Sequence, residues 1–376
     1  MFLIRKIFLL LIFIPLVSLQ AQKLVVGTYK FKKIGAVYTG ELLKNKPHGK
    51  GQTTYANGDV YDGNYESGKR HGYGVMTFQT GERYEGQWTL DEQNGRGTYY
   101  FLNNNKYVGL WFRNAKQGLG TMFYYNGDVY EGSWEANQRS GKGRYTFANG
   151  VYYEGDWRDD QKNGYGIFDW KDGTIYKGQW KNNQRHGRGQ YFYSDGSSYD
   201  GQWRDDLMHG RGVMKSANGD VYEGDYVNGE RTGRGTTHFA SGDKYVGQYL
   251  HGDQHGEGTY TWNGVAVYKG QWANNVRSGY GVYTRSNGDE YSGEWSENVL
   301  HGKAKIKLAD GSSFEGEFEM GEKQGPAVEI SAEGVRLECT YQSGEREGAY
   351  AEYDKEGNLL SKGEYRSGKK VAVRSE

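Results

Sequence analysis

The chain is predicted to be all-β: an elongated, twisted, single-layer antiparallel sheet of about thirteen 23-residue β-hairpin repeats, with an N-terminal signal-peptide helix in front of it. Three observations predict this. The stretch from Tyr176 to Ser198, YKGQWKNNQRHGRGQYFYSDGSS, returns at a strict spacing of 23 residues. Inside it, apolar or glycine positions alternate with polar ones. Asn-Gly or Asp-Gly pairs close the units. A fixed period of this size is the signature of stacked repeats, each one a supersecondary unit that folds against its neighbours.

Positions within the unit are counted from the leading Tyr as position 0. That residue is Tyr at 38, 61, 84, 107, 130, 153, 176, 199, 222, 245, 268 and 291, after which Phe314 and Leu337 hold the place. Positions 0, 2 and 4 are Tyr, Gly and Trp, and the period of two reads as a strand. Positions 11, 13, 15 and 17 repeat the alternation and read as a second strand. Between them lies a segment rich in Asn, Gly, Lys and His, which is turn chemistry. Pairs such as Asn57-Gly58, Asn126-Gly127, Asp195-Gly196 and Asn287-Gly288 then mark the turn to the next unit. Centring the inner turn near position 8.5 sets position 0 opposite 17, 2 opposite 15 and 4 opposite 13. Tyr then meets an aromatic ring, and Trp meets a glycine. Gly at position 11 is assigned to the turn exit, where φ is positive. Eight of the ten Trp fall at position 4 and the other two, Trp170 and Trp262, at position 17, so all ten share one predicted face.

The signature Y-x-G-x-W-x(6)-G-x-G resembles the MORN (membrane occupation and recognition nexus) repeat over residues 38 to 336, as thirteen units. The resemblance implies a hairpin fold. It also implies binding, spacing or membrane-apposing roles for the repeats, with no activity of their own. In such families the catalytic parts lie in attached domains, and fold alone does not assign a function.

Taken in order, residues 1–22 read as a signal peptide, with an uncleaved membrane anchor as the alternative: Arg5 and Lys6 precede an apolar run from Ile7 to Leu19 that is short for a membrane span, and Ala21 follows. Residues 23–37 read as N-terminal capping strands that cover an otherwise open sheet edge. Residues 38–336 are the array. Its fourth unit has Gln117 in a slot often held by His, and Leu110 and Leu119 at normally polar outer positions. Its tenth unit carries Asn263-Gly264 one position early, so a differently shaped outer turn is expected there. Residues 337–376 are a degenerate repeat with a C-terminal cap and tail, as a repeat array requires at its end.

Composition agrees. Sixty Gly and three Pro in 376 residues suit a continuous sheet with a turn every dozen residues. Lys plus Arg equals Asp plus Glu at 47 each, which gives no electrostatic footprint for nucleic acid and no polybasic signature for anionic lipid. The single Cys339 excludes an internal disulfide and reads as a small inward residue.

No catalytic, cofactor-binding or metal-ligating set assembles. His48, His71, His186, His209, His255 and His301 share position 10, but Asn94, Gln117, Ser140, Asn163, Thr232 and Ser278 fill the same slot. A slot that takes any small hydrogen-bonding side chain is a turn position, not a metal strip. The pairs Asp159-Asp160 and Asp205-Asp206 read as solvated inner turns. Acidic residues at position 1 and basic ones at position 12 read as alternating outer stripes, mainly solubility devices.

The predicted function is an exported, non-catalytic repeat scaffold, periplasmic, envelope-associated or secreted, that binds a partner protein along an aromatic-lined sheet. The candidate binding surface is Trp111, Trp134, Trp157, Trp180, Trp203, Tyr130, Tyr153, Tyr176 and Tyr199, rings whose main role is read as holding adjacent hairpins together and which are also expected to line a shallow groove. Two alternatives stand beside it: phospholipid or membrane-surface binding, implied by the family resemblance, and cell-wall or polysaccharide binding by stacking on the rings. Oligomerisation is left open, and no cofactor is expected.

Overall fold

The computed structural model describes residues 23–371; the expected signal segment, 1–22, lies outside them. The described residues form 31 strands of one open antiparallel sheet and contain no helix. The chain divides into two compact units, Met1–Gly141 and Lys142–Glu376. In the first, each strand from Val25–Phe31 to Val129–Glu135 pairs with the next in sequence. In the second, the same meander runs from Tyr152–Arg158 to Lys369–Val371.

The unit at 176 shows how the sequence builds a hairpin. Its strands are Ile175–Lys181 and Gln184–Phe192. The link between them is only Asn182-Asn183, with φ of 49° and 70°. Positive φ at both central residues is the two-residue turn whose twist matches that of the strands, and Asn tolerates it better than most residues. The register corrects the predicted pairing: Tyr176 faces Tyr191, Gly178 faces Gly189, and Trp180 faces Arg185. Position 0 therefore opposes 15, not 17, and position 4 opposes 9, not 13. The displacement has a physical cause. His186-Gly187 resembles a turn but forms a bulge, where the returning strand spends extra residues between Gly178 and Trp180. Gly187 takes φ +63° within that bulge, so the glycine at position 11 serves a strand irregularity and not a turn exit. The outer turn closes from Tyr193 to Ser197, with Gly196 at φ +88°.

Aromatic rings hold successive hairpins together. Trp180 packs edge-to-face on Tyr176 of its own unit at 5.1 Å and on Tyr153 of the unit before at 5.4 Å. Tyr176 in turn meets Trp203 at 5.5 Å. The same zipper runs Tyr84–Trp111–Tyr107–Trp134 in the first unit of the chain. Edge-to-face contact between rings is favourable beyond the area it buries. Trp170 and Trp262 stack on Phe168 and Tyr260 at 4.3 and 4.4 Å, rings that also touch Trp180 and Trp272, so they share the face of their neighbours.

The irregular units behave as their sequences suggest. Around Asn263-Gly264 the loop shortens, and the flanking strands lengthen to Asp253–Trp262 and Ala266–Ala273. At the start, Val25–Phe31 forms one strand on Ala36–Leu43. Towards the end, Cys339 is buried opposite Ala327, pointing inward.

Candidate binding surfaces

The nine aromatic residues expected to form the binding surface are core residues, Trp111, Tyr130 and Trp134 in the first compact unit and the other six in the second. Their exposure runs from 0 to 6%, so they line no open groove. Each Tyr lies over the bare backbone of its unit's glycine pair and donates its hydroxyl to the carbonyl of position 3: Tyr176 to Gln179 at 2.9 Å, Tyr199 to Gln202 at 3.0 Å. Burial pushes the Tyr176 hydroxyl well above its ordinary range. Each Trp donates its indole N–H to the preceding unit's position-13 glycine, as Trp180 does to the Gly166 carbonyl at 3.2 Å. Trp does meet a glycine, but one in the unit before its own.

A set of cations absent from the predicted sites closes this face. Position 9 places Lys162 4.2 Å over Trp180, Arg185 4.5 Å over Trp203 and Arg277 4.4 Å over Trp295. Arg70 covers Trp88 in the same way at 4.2 Å. Such contacts shield the ring face from water while keeping the charge solvated on one side. Burial lowers the Lys162 ammonium to about 8. Position 9 is also tied to the next inner turn: Asp206 accepts from the Arg185 backbone at 2.9 Å and its side chain at 3.0 Å, and Asn183 accepts from the Lys162 backbone at 2.9 Å. The regular return of Lys or Arg at this position was the available signal.

Position 10 acts as an acceptor for the following unit's inner turn. Gln117 takes the Ala136 N–H at 3.1 Å, Gln324 that of Ser343 at 2.9 Å, and His48 Nδ1 that of Ser67 at 3.4 Å. His71, His186, His209 and His255 hold the same slot with a buried Nδ1 that makes no hydrogen bond, that of His186 lying 3.9 Å from an Asp205 carboxylate oxygen. Among the described residues no group of three or more His, Cys, Asp or Glu could hold a metal ion.

Open space lies on the opposite, polar face, where positions 1, 3, 12 and 14 point outward. A trough of about 480 Å³ lies between Tyr73 and Leu119 in the first compact unit. In the second, one of about 640 Å³ runs from Arg211 to Lys269, and one of about 1050 Å³ from Tyr280 to Ala351. Their floors are the glycine or small-residue backbones that carry the rings on the other side. The predicted charge stripes lie on this face: Arg211 meets Glu223 at 3.8 Å in the wall of the 640 Å³ trough, and Arg188 meets Asp200 at 3.8 Å one unit earlier.

Thirteen consecutive matches to the MORN repeat cover 38–60 through 314–336, the tenth ending early, at 264, where the loop is short. The chain belongs to the MORN repeat family. No curated protein matches it. Among solved structures, the TCP10 domain of Danio rerio CPAP is 13% identical, with 52% of this chain and 93% of that one covered and a TM-score of 0.31. The TCP domain of Drosophila melanogaster SAS-4, solved with a proline-rich motif of Ana2, is also 13% identical, covering 42% and 85% with a TM-score of 0.27. At that overlap nothing further follows from either.

The last MORN units replace part of the ring zipper by a polar cluster. Glu329 occupies position 15, which earlier units give to an aromatic residue, Met, Thr or Ile. It accepts from Arg346 at 2.7 and 3.0 Å and from the Tyr341 hydroxyl. Burial alone would raise the Glu329 carboxyl, but hydrogen bonds from Arg346 and Tyr341 and the charges of Arg346 and Lys323 outweigh it and hold it below its usual range. Burial, then the Glu329 charge, pushes the neighbouring Cys339 thiol up to about 11. Arg346→Met is expected to destabilise the hairpins around 322–353 by about 2 kcal/mol at pH 7, because it strands a half-buried carboxylate. A carboxyl depressed in the folded state contributes stability above its unfolded value of about 4.3, and that contribution fades as pH falls through the folded value. The gap between wild type and variant, followed by hydrogen exchange, therefore narrows from pH 6 to pH 3. A gap constant over that range would exclude the ion pair as its source.

Proposed function

We propose that this MORN chain is a non-catalytic scaffold that binds a partner protein along the polar face of its sheet. The observation that carries the proposal is the set of troughs on that face, floored by glycine and small-residue backbone and walled by the outward side chains of successive units. A sheet that spends its aromatic residues on joining its own repeats has this face left for recognition. Stacking of sugar rings on the tryptophans is disfavoured by their burial. The chain is further proposed to be exported by its first 22 residues and to work in the periplasm, at the envelope or outside the cell.

Site-specific photo-cross-linking in the native cell tests the proposal. A photoreactive residue at Thr236 or Ala351, both lining troughs, is expected to give a discrete protein adduct, whereas one in the outer turn at Ser194 is not. Adducts from Ser194 alone, or sedimentation with anionic liposomes and no protein adduct, would replace this reading. Mass spectrometry of the mature chain checks export: its N-terminus is expected near residue 22, and an intact Met1 would count against cleavage.

A further inference from the structure

The fourth repeat departs from the rest of the array on the face that should be polar. Strands Lys106–Phe112 and Ala115–Phe123 turn Val108, Leu110, Phe112, Leu119 and Phe123 outward, and these are 41, 38, 52, 67 and 37% exposed. The matching residues in the unit at 176 are Lys177, Gln179, Lys181, Arg188 and Phe192. Tyr100 extends the apolar surface onto the adjacent strand, and Tyr73, further along the sheet, lines the same trough. Lys106, Arg113 and Arg83 sit over Phe123, Phe112 and Tyr100, and Phe123 matches Phe192, so the departure lies in Val108, Leu110 and Leu119. Leu119 lies across from Ser133 and Leu110 across from Arg96, and the zipper that holds the repeats runs on the other face. The exposed area of these side chains is on the order of 600 Å², at the upper end for a patch on a free protein surface.

Charge identifies what this surface would accept. Two other arginines at position 12 meet a carboxylate at position 1 of the next unit, Arg188 with Asp200 and Arg211 with Glu223, whereas Arg234 faces Val246 in a trough without large apolar walls. For Arg96 that position is Val108, which lies in the same 480 Å³ trough. The one acidic residue lining the trough, Glu85, is engaged by Arg83 and by the Tyr73 hydroxyl at 2.8 Å. Among the described residues Arg96 has no ion pair, although its backbone N–H is held by Gln87 at 3.1 Å. The trough thus joins apolar walls (Tyr73, Val108, Leu110, Leu119) to a guanidinium lacking a carboxylate. A second copy set against the same patch would bring two such guanidiniums together around a two-fold axis, with no free carboxylate between them.

We infer that this patch docks a segment of a different protein in which a carboxylate lies beside two or more apolar side chains. The inference rests on the scaffold reading above and assigns it a site and a partner chemistry. The apolar side chains fill the trough beside Leu110 and Leu119, and the carboxylate takes the place that Val108 denies to the array's own acidic stripe. Arg96 suits it because its fork pairs with a carboxylate through two hydrogen bonds.

Selection of a displayed random 12-residue peptide library on the full chain tests this. Enriched peptides are expected to combine apolar residues with Asp or Glu. Their affinity should fall at least tenfold on the double variant Leu110→Lys, Leu119→Lys, whose exposed side chains can change without moving the thermal midpoint. Arg96→Glu should weaken the same peptides at least fivefold, and replacing their acidic residue by Lys should restore binding to that variant. Peptides that bind the double variant as well as wild type would overturn the inference while leaving the scaffold reading intact. So would a dimer of the full chain that the double variant makes monomeric. Failure to enrich any peptide overturns the inference too, and the photo-cross-linking experiment then decides separately whether the chain binds protein elsewhere.

Discussion

A single methyl group at Gly189 is expected to cost the array more than deleting the whole exposed arginine beside it. Gly189→Ala places a Cβ 2.3 Å from the Tyr176 hydroxyl and 2.6 Å from two ring carbons. The φ of Gly189 lies outside the left-handed region, so the backbone alone does not require glycine. The ring does. Tyr176 cannot step aside, because Trp180 and Trp203 hold it at 5.1 and 5.5 Å and its hydroxyl is committed to the Gln179 carbonyl. Parting the strands would break the ladder in which Gly178 and Gly189 face each other. Overpacking of this kind costs about 3 kcal/mol. Two neighbours calibrate it. Arg188→Ala removes a side chain that is 82% exposed and should stay within about 0.5 kcal/mol of wild type. Gly196→Ala meets nothing within 4 Å but must hold φ near +88°, which costs about 1 kcal/mol. Urea unfolding of the three variants gives the order. If Gly189→Ala is no worse than Gly196→Ala, the ring does not rest on the glycine.

The same comparison shows which parts of the molecule could be read from the chain alone. The period, the strand pair per unit and the shared face of the tryptophans were legible, because alternation and spacing are local. The early Asn263-Gly264 also announced its own shortened loop. Register was not legible. Asn182-Asn183 and His186-Gly187 both carry turn chemistry a few residues apart, and only pairing across the hairpin decides that the first turns and the second bulges. Once the register was displaced by two, position 9 could not be seen to lie over the rings, so Lys162 and Arg185 passed as ordinary turn residues. The open face was misplaced for a related reason. A row of Tyr and Trp looks like a binding groove until one knows that glycine backbone lies beneath it and cations lie above. Leu110 and Leu119 were visible as exceptions to the outer pattern, but their neighbour Arg96 gained meaning only when Val108 was found where its carboxylate should be.

Tyr176→Ala is expected to be costlier still, about 4 kcal/mol, as for other large aromatic rings deleted from a core. Tyr176→Phe keeps the ring and loses only the bond to Gln179, about 1 kcal/mol. The larger loss should also be local in a way that an ordinary core mutation is not. Tyr176 is wedged between Trp180 of its own hairpin and Trp203 of the next, so removing it weakens one interface between repeats and leaves distant interfaces unchanged. In a repeat array the stability of each unit is set by its own folding and its immediate neighbours. Hydrogen exchange should therefore speed up in the hairpins at 175–192 and 198–215 first, while strands such as Arg336–Gln342 keep their protection. A double-mutant cycle with Trp203→Leu isolates the shared contact, where a coupling of about 1 kcal/mol is expected. Uniform loss of protection across every repeat in Tyr176→Ala would mean that the sheet unfolds as one cooperative block, and the ring-by-ring account of its stability would have to be given up.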